Sequence, residues 1–262
     1  MEIAGYIGSV FIGVVLGLLG GGGSILAIPI LVYLFHLDPV IATAYSLFIV
    51  GTTSFFGVFS KQRQDLVDFR TGIIFGLPSL IAIFATRKWL VHALPDIIVN
   101  TESIVITKRF FLLGLFAILM IVTSFSMIFG RRKVEAEQKN SSSFLLVAVG
   151  TLIGLLTGLV GAGGGFLIIP TLVLFAGLPM KTATGTSLFI IAVNSVIGFT
   201  GDILNLTIDW VFLLSLTGLA MVGAFCGNWL SGKIRNKHLR IAFGWFTLVI
   251  GTMILFRELF LA

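Results

Sequence analysis

Two glycine stretches carry the first chemical possibility in this chain. Gly20-Gly21-Gly22-Gly23-Ser24 and Gly161-Ala162-Gly163-Gly164-Gly165 each interrupt an apolar run, and Pro29 and Pro170 follow at equal spacing. Backbone that leaves the helix presents successive N–H groups, and near a helix start these form a concavity suited to an anion. At membrane depth such irregular backbone is tolerated only where protein buries it or water wets it. In transporters built from inverted repeats, breaks of this kind form the substrate site. The competing reading is close packing, because small residues let helices approach. Gly20, Gly21, Gly22, Gly23, Ser24, Gly161, Gly163, Gly164 and Gly165 are the backbone candidates for holding an anion.

Hydroxyl groups supply a second set. Ala42-Thr43-Ala44-Tyr45-Ser46 and Ala183-Thr184-Gly185-Thr186-Ser187 lie near the start of the segment after each glycine break, and farther on Thr53-Ser54 matches Asn194-Ser195. Hydroxyls donate to an oxyanion without placing a charge in the membrane, so Thr43, Ser46, Thr53, Thr184, Thr186 and Ser187 join the candidate site. Asn194 joins them because an amide in an apolar run needs a partner. The plainer alternative is that Ser and Thr bond their own helix carbonyls or a neighbouring helix.

Other chemistries lack their groups. All 11 acidic residues fall in or near loops and segment ends, so no mid-span carboxylate offers a proton relay. His36, His92 and His238 are scattered without metal-ligand spacing. A serine hydrolase would need a base beside its serine, and no histidine lies deep in a span. An enzyme, a metal centre and a cofactor are therefore not expected. With no deep Lys or Arg in view, a bound anion is expected to rest on backbone and hydroxyl dipoles. The single cysteine, Cys226, excludes an intramolecular disulfide and reads as a packed thiol.

Composition dictates the elements that must position these groups. Of 262 residues, 57% are apolar and 11% charged, against about 45–50% and about 25% in soluble domains. The mean hydropathy is +1.12. Eight apolar segments follow from the length needed to cross a bilayer: 3–35, 39–60, 69–94, 108–130, 143–176, 180–201, 209–231 and 240–261. Segments 3–35 and 143–176 are too long for one straight crossing and hold the glycine breaks. The N-terminus lacks a basic n-region, so the first segment is expected to persist in the mature protein. The net charge of +6 comes from short basic clusters between apolar runs, which argues for membrane topology and against nucleic acid.

A shift of 141 residues superposes the two halves without a gap. Gly17-Leu18 meets Gly158-Leu159, Pro29 meets Pro170, Ala42-Thr43 meets Ala183-Thr184, and Ser46-Leu47-Phe48-Ile49 meets Ser187-Leu188-Phe189-Ile190. If each broken segment returns to its side of entry and three full crossings follow, the halves are inverted. Lys61, Arg63, Arg70, Arg131, Arg132, Lys133, Lys139, Lys181, Lys233, Arg235, Lys237 and Arg240 then collect on one face. The positive-inside rule makes that face cytoplasmic. The expected architecture is an all-α polytopic transmembrane bundle of two inverted repeats, each a re-entrant-like broken segment plus three spans. Residues 1–130 form the first repeat, 131–142 a polar cytoplasmic linker and 143–262 the second, with both termini outside.

The doubled signatures GLLGGGGSILAIPIL at 17–31 and GLVGAGGGFLIIPTL at 158–172, followed by ATAYSLF at 42–48 and ATGTSLF at 183–189, resemble the sulfite exporter TauE/SafE family of membrane transporters. The resemblance covers the whole chain. It implies a plasma-membrane carrier of sulfur-containing oxyanions such as sulfite or organosulfonates, with lipid as its surroundings and a homodimer compatible with it. The first half departs from the second with Tyr45 in place of Thr186 and His36 in place of Gly177. The expected mechanism is alternating access around a site between the two breaks. A passive channel using the breaks as a filter is the alternative, and a membrane enzyme or scaffold is disfavoured by the missing catalytic groups.

Overall fold

Helices account for nearly all of the described chain, because every apolar run must satisfy its own backbone within the hydrocarbon. The computed structural model describes residues 2–91, 93–95, 97–101, 104–129, 143–160, 164–203 and 206–260. The linker 131–142 lies outside the described residues, as do Gly161 and Gly163 of the second break. The first half contains α1 (Glu2–Leu19), a 3-10 stretch Gly20–Leu26, α2 (Ala27–Tyr33), α3 (Pro39–Gln62), α4 (Phe69–Ala85) with a π-helical turn Thr86–Val91, and α5 (Lys108–Phe129). The second contains α6 (Ser143–Val160), α7 (Gly165–Leu174), α8 (Met180–Ile203), α9 (Trp210–Ser231) and α10 (Asn236–Phe260).

Seven of these helices are long and apolar enough to cross a membrane, Ser143–Val160 among them. Large apolar side chains such as Phe59, Phe129, Val211 and Trp229 are exposed on the outer surface, as a lipid-facing belt requires. The segment 3–35 divides at Gly20, and its ends lie side by side: Gly5 packs on the Phe35 ring and Gly8 on Ile30. Among the described residues, one departure from an all-α chain stands between α4 and α5. Strands β1 (Ile97–Thr101) and β2 (Ile104–Thr107) pair antiparallel. Their β-branched Ile, Val and Thr favour extended backbone once the chain has left the apolar span.

Local chemistry fixes the helix starts. Asp38 accepts from the Val40 amide with Pro39 at the first helical position of α3. Asp68 accepts from the Thr71 amide at α4, and Asp209 from the Phe212 amide at α9. These carboxylates are N-caps. Turn bonds recur at the 141-residue interval: Leu37 N–H to Leu31 C=O matches Leu178 to Leu172, and Gly72 to Asp68 matches Leu213 to Asp209. His36, with φ 55°, takes the left-handed conformation that Gly177 takes with φ 68°, so the same loop is made once without the residue that adopts it most freely.

Packing is exchanged between halves. α1 lies against α9 and α6 against α4, while α3 pairs with α8 and α5 with α10. On the first of these faces Gly13 and Gly17 meet the α9 backbone, and Gly223 and Gly227 meet the α1 backbone. On the second, Gly150, Gly154 and Gly158 meet α4 and its π-helical turn at Phe75, Ser79 and Ile83–Thr86. Much of the glycine surplus thus serves close helix approach. α3 and α8 cross antiparallel: Leu47 lies against Gly198, Leu188 against Gly57, and Ser195 against Gly51.

Candidate functional site

The α3–α8 crossing brings a polar seam to the centre of an otherwise apolar bundle. Thr43, Ser46, Thr53 and Ser54 of α3 are buried, as are Thr184, Thr186, Ser187, Asn194 and Ser195 of α8. Several follow the plainer expectation. Thr53 donates to the Ile49 and Val50 carbonyls, Ser187 to Thr184, and Ser24 to Gly21. Others reach across: Asn194 Nδ2 donates to Ser79 Oγ of α4 at 2.8 Å. The hydroxyls of Ser46, Ser54, Thr184 and Ser195 and the Asn194 Oδ1 are buried with no hydrogen-bond partner. Buried polar atoms are satisfied in the great majority of cases, so this concentration marks the seam as the polar centre of the molecule.

Tyr45 and Thr186, the pair at which the halves differ, do the same job. The Asp68 amide donates to Thr186 Oγ1 at 2.9 Å, and the Asp209 amide donates to Tyr45 Oη at 2.8 Å. Each ties the start of a helix in one half to the central helix of the other. Tyr45→Phe and Thr186→Val each orphan a backbone N–H, and each is expected to cost about 1–3 kcal/mol. Thermal unfolding in detergent checks this; an unchanged transition in both variants would show that these ties contribute nothing.

The two breaks touch directly. Gly21 and Gly165 pack backbone to backbone, and Gly20, with φ 65°, lies against Thr184. Gly164, with φ 71°, is the N-cap of α7 and lies against Thr157, while its carbonyl accepts from the Leu167 and Ile168 amides. Gly22 and Gly23 belong to the 3-10 stretch. At Gly21 and Gly165 no space separates the breaks, so groups that could meet a ligand lie to either side, along α3 and α8.

Charge is buried at both ends of this seam. Arg87, in the π-helical turn, is fully buried and pairs with Asp202 of α8, Nη1 to Oδ2, at 2.9 Å. The same Nη1 donates to Thr43 Oγ1 at 3.1 Å, and Thr43 in turn donates to the Val40 carbonyl. At the opposite end Lys61 of α3 is 2% exposed and donates to Ser231 Oγ at 2.7 Å. Beside it Asn228 Nδ2 donates to Ser60 Oγ. A cavity of about 30 Å³ between α3 and α9 runs from Thr53 to Ser60 and Asn228. Hydropathy places Arg87, Asp202 and Lys61 at span ends and leaves only dipoles for an anion; the fold buries all three. The available signal was the repeat register, which sets Lys61 opposite Asp202 and Arg87 opposite Asn228.

Apolar helices long enough to cross a membrane, packed around a buried polar seam, are the architecture of a polytopic membrane protein. The chain belongs to the sulfite exporter TauE/SafE family, whose model matches residues 6–254. It is 28% identical to a probable membrane transporter protein of Xylella fastidiosa (strain 9a5c), over 94% of this chain and 92% of the relative. It is 24% identical to the probable membrane transporter protein YunE of Bacillus subtilis (strain 168), over 98% and 96%. A probable membrane transporter protein of Methanocaldococcus jannaschii is 26% identical over 94% and 93%. No solved structure matches the chain.

Proposed function

We propose that this membrane transporter moves a small sulfur-containing oxyanion, sulfite or an organosulfonate, across the plasma membrane by alternating access. Its two halves, 1–130 and 143–262, act as inverted repeats joined by a cytoplasmic linker at 131–142, with both termini outside. Each glycine break serves as the turn of a re-entrant hairpin. The observation that carries the reading is the antiparallel α3–α8 crossing, whose contacts exchange when the halves are exchanged: Leu47 on Gly198 and Leu188 on Gly57. Equivalent helices that run in opposite directions belong to oppositely oriented halves. The unpartnered hydroxyls along that crossing, Ser46 and Ser54 on one helix and Thr184 and Ser195 on the other, suit an oxyanion passing between the halves. The anion class follows from the family, and the seam supplies hydroxyl donors for it.

The test is radiolabelled sulfite and methanesulfonate flux in proteoliposomes. A carrier gives saturable uptake that unlabelled substrate on the far side accelerates. Flux linear in concentration, with no such acceleration, would overturn alternating access in favour of a channel. Absence of any oxyanion flux would overturn the substrate class.

A further inference from the structure

Lys61 is a buried cation that the seam of hydroxyls leaves unexplained. We infer that Lys61 is a binding residue for the transported oxyanion, at the end of the bundle where α3 stops and α8 starts; this rests on the anion-transport reading above. An ammonium carries three donors, and the Lys61 Nζ has one described partner, the Ser231 hydroxyl at 2.7 Å. Among the described residues no carboxylate lies within ion-pair range of it. A buried cation without a counter-charge is strongly disfavoured, and an anion arriving from outside the chain supplies one.

The opposite end of the seam gives the contrast. There Arg87 is met by the chain's own carboxylate, Asp202, at 2.9 Å. In the repeat register Lys61 stands at the position of Asp202, and Asn228 at that of Arg87. The same pair of positions therefore holds a neutral ion pair at one end and, at the other, a cation with no carboxylate partner among the described residues. The surroundings of Lys61 suit an oxyanion. Gly185 lies against its Cβ, and the neighbouring Thr184 has a buried hydroxyl without a partner. Thr184 also touches Gly20, where the first break leaves α1. The turn of α8 that packs on Lys61 at Gly185 thus also carries a free hydroxyl, at Thr184, and meets the first break at Gly20.

A purely structural role is the competing account, because a cation at the α9 C-terminus complements the helix dipole. That role is already served by Lys181, whose Nζ donates to the Gly232 carbonyl at 3.3 Å. Lys61 bonds a hydroxyl instead of a carbonyl.

Purified full-length protein in lipid nanodiscs is titrated calorimetrically with sodium sulfite, sodium methanesulfonate and, as a control, sodium chloride. Sulfite and methanesulfonate present the same three-oxygen sulfur face, and the two arms separate the free ion from the organic sulfonate. Lys61→Gln is expected to weaken whichever of them binds by about tenfold or more, as loss of a charge-assisted contact should. Lys61→Arg is expected to stay within about threefold of the unaltered protein, since it keeps the charge. Unchanged affinity in Lys61→Gln overturns this inference while leaving anion transport intact. A lowered melting temperature with unchanged affinity assigns Lys61 to the helix end and overturns it too. If the unaltered protein binds neither anion, this inference and the transport reading both fall.

Discussion

Asp202→Ala is expected to destabilise the protein by about 3–5 kcal/mol, because removing one partner of a buried ion pair leaves the other charge uncompensated. Arg87 cannot escape to water: its side chain is fully buried, with its Cβ beside Gly201 and its guanidinium aimed at Asp202 and Thr43. The loss should fall well below additivity when Arg87 is replaced at the same time. Arg87→Met with Asp202→Ala removes both charges, and close pairs of this kind couple by about 0.5–3 kcal/mol. The measurement is thermal or denaturant unfolding of the two single variants and the double variant in one detergent. A single Asp202→Ala variant as stable as the parent would mean that the pair is not buried in the membrane-embedded protein. The second outcome that decides something is additivity: if the two single losses simply sum, Arg87 and Asp202 do not depend on each other.

Gly165→Ala should be the most damaging of the glycine replacements, at roughly 3 kcal/mol or more, the upper end of what overpacking costs. A Cβ at Gly165 would run into the Gly21 carbonyl and its flanking backbone atoms. Side chains can rotate away from an intruding methyl; two backbone segments in contact cannot do so without parting. Both sit at the junction of the 3-10 stretch with α7, so parting them also disturbs the breaks that define the site. Gly218→Ala on α9 is the control, since nothing lies within 4 Å of a Cβ there. In a helix that change is expected to be neutral or to stabilise slightly. The yield of monodisperse protein and its unfolding temperature report both effects. Equal behaviour of the two variants would remove the argument that the breaks meet at Gly21 and Gly165.

What the linear sequence could reveal depended on whether the information was periodic or tertiary. Span lengths, the position of the glycine stretches and the 141-residue repeat are one-dimensional, and the helices end within a few residues of the hydropathy boundaries. Ser143–Val160 and Gly165–Leu174 fall within the over-long second segment. The hairpin at 97–107 was missed because Ile-Ile-Val and Ile-Val-Ile look like hydrophobic filler until they are seen outside a span. The Arg87–Asp202 pair was hidden for a different reason. Hydropathy reads any charge near the end of an apolar run as interfacial, and nothing local says that two such ends, 115 positions apart, face each other. Thr53 and Ser187, by contrast, turned inward to their own helix carbonyls, a choice that residue type alone leaves open.

The exchange of helices between halves also has a consequence in time. Among the described residues the Gly13–Gly17 face of α1 packs on α9, whose last residue, Ser231, is added 212 residues after Leu19. At ordinary synthesis rates of about 5–20 residues per second, that interval is roughly 10–40 s. Through most of it α1 carries an unpaired glycine groove, open to any neighbour with a matching ridge. An element made early is thus among those locked in place late. Whatever shields it meanwhile, lipid or a resident insertion factor, takes part in the birth of the molecule.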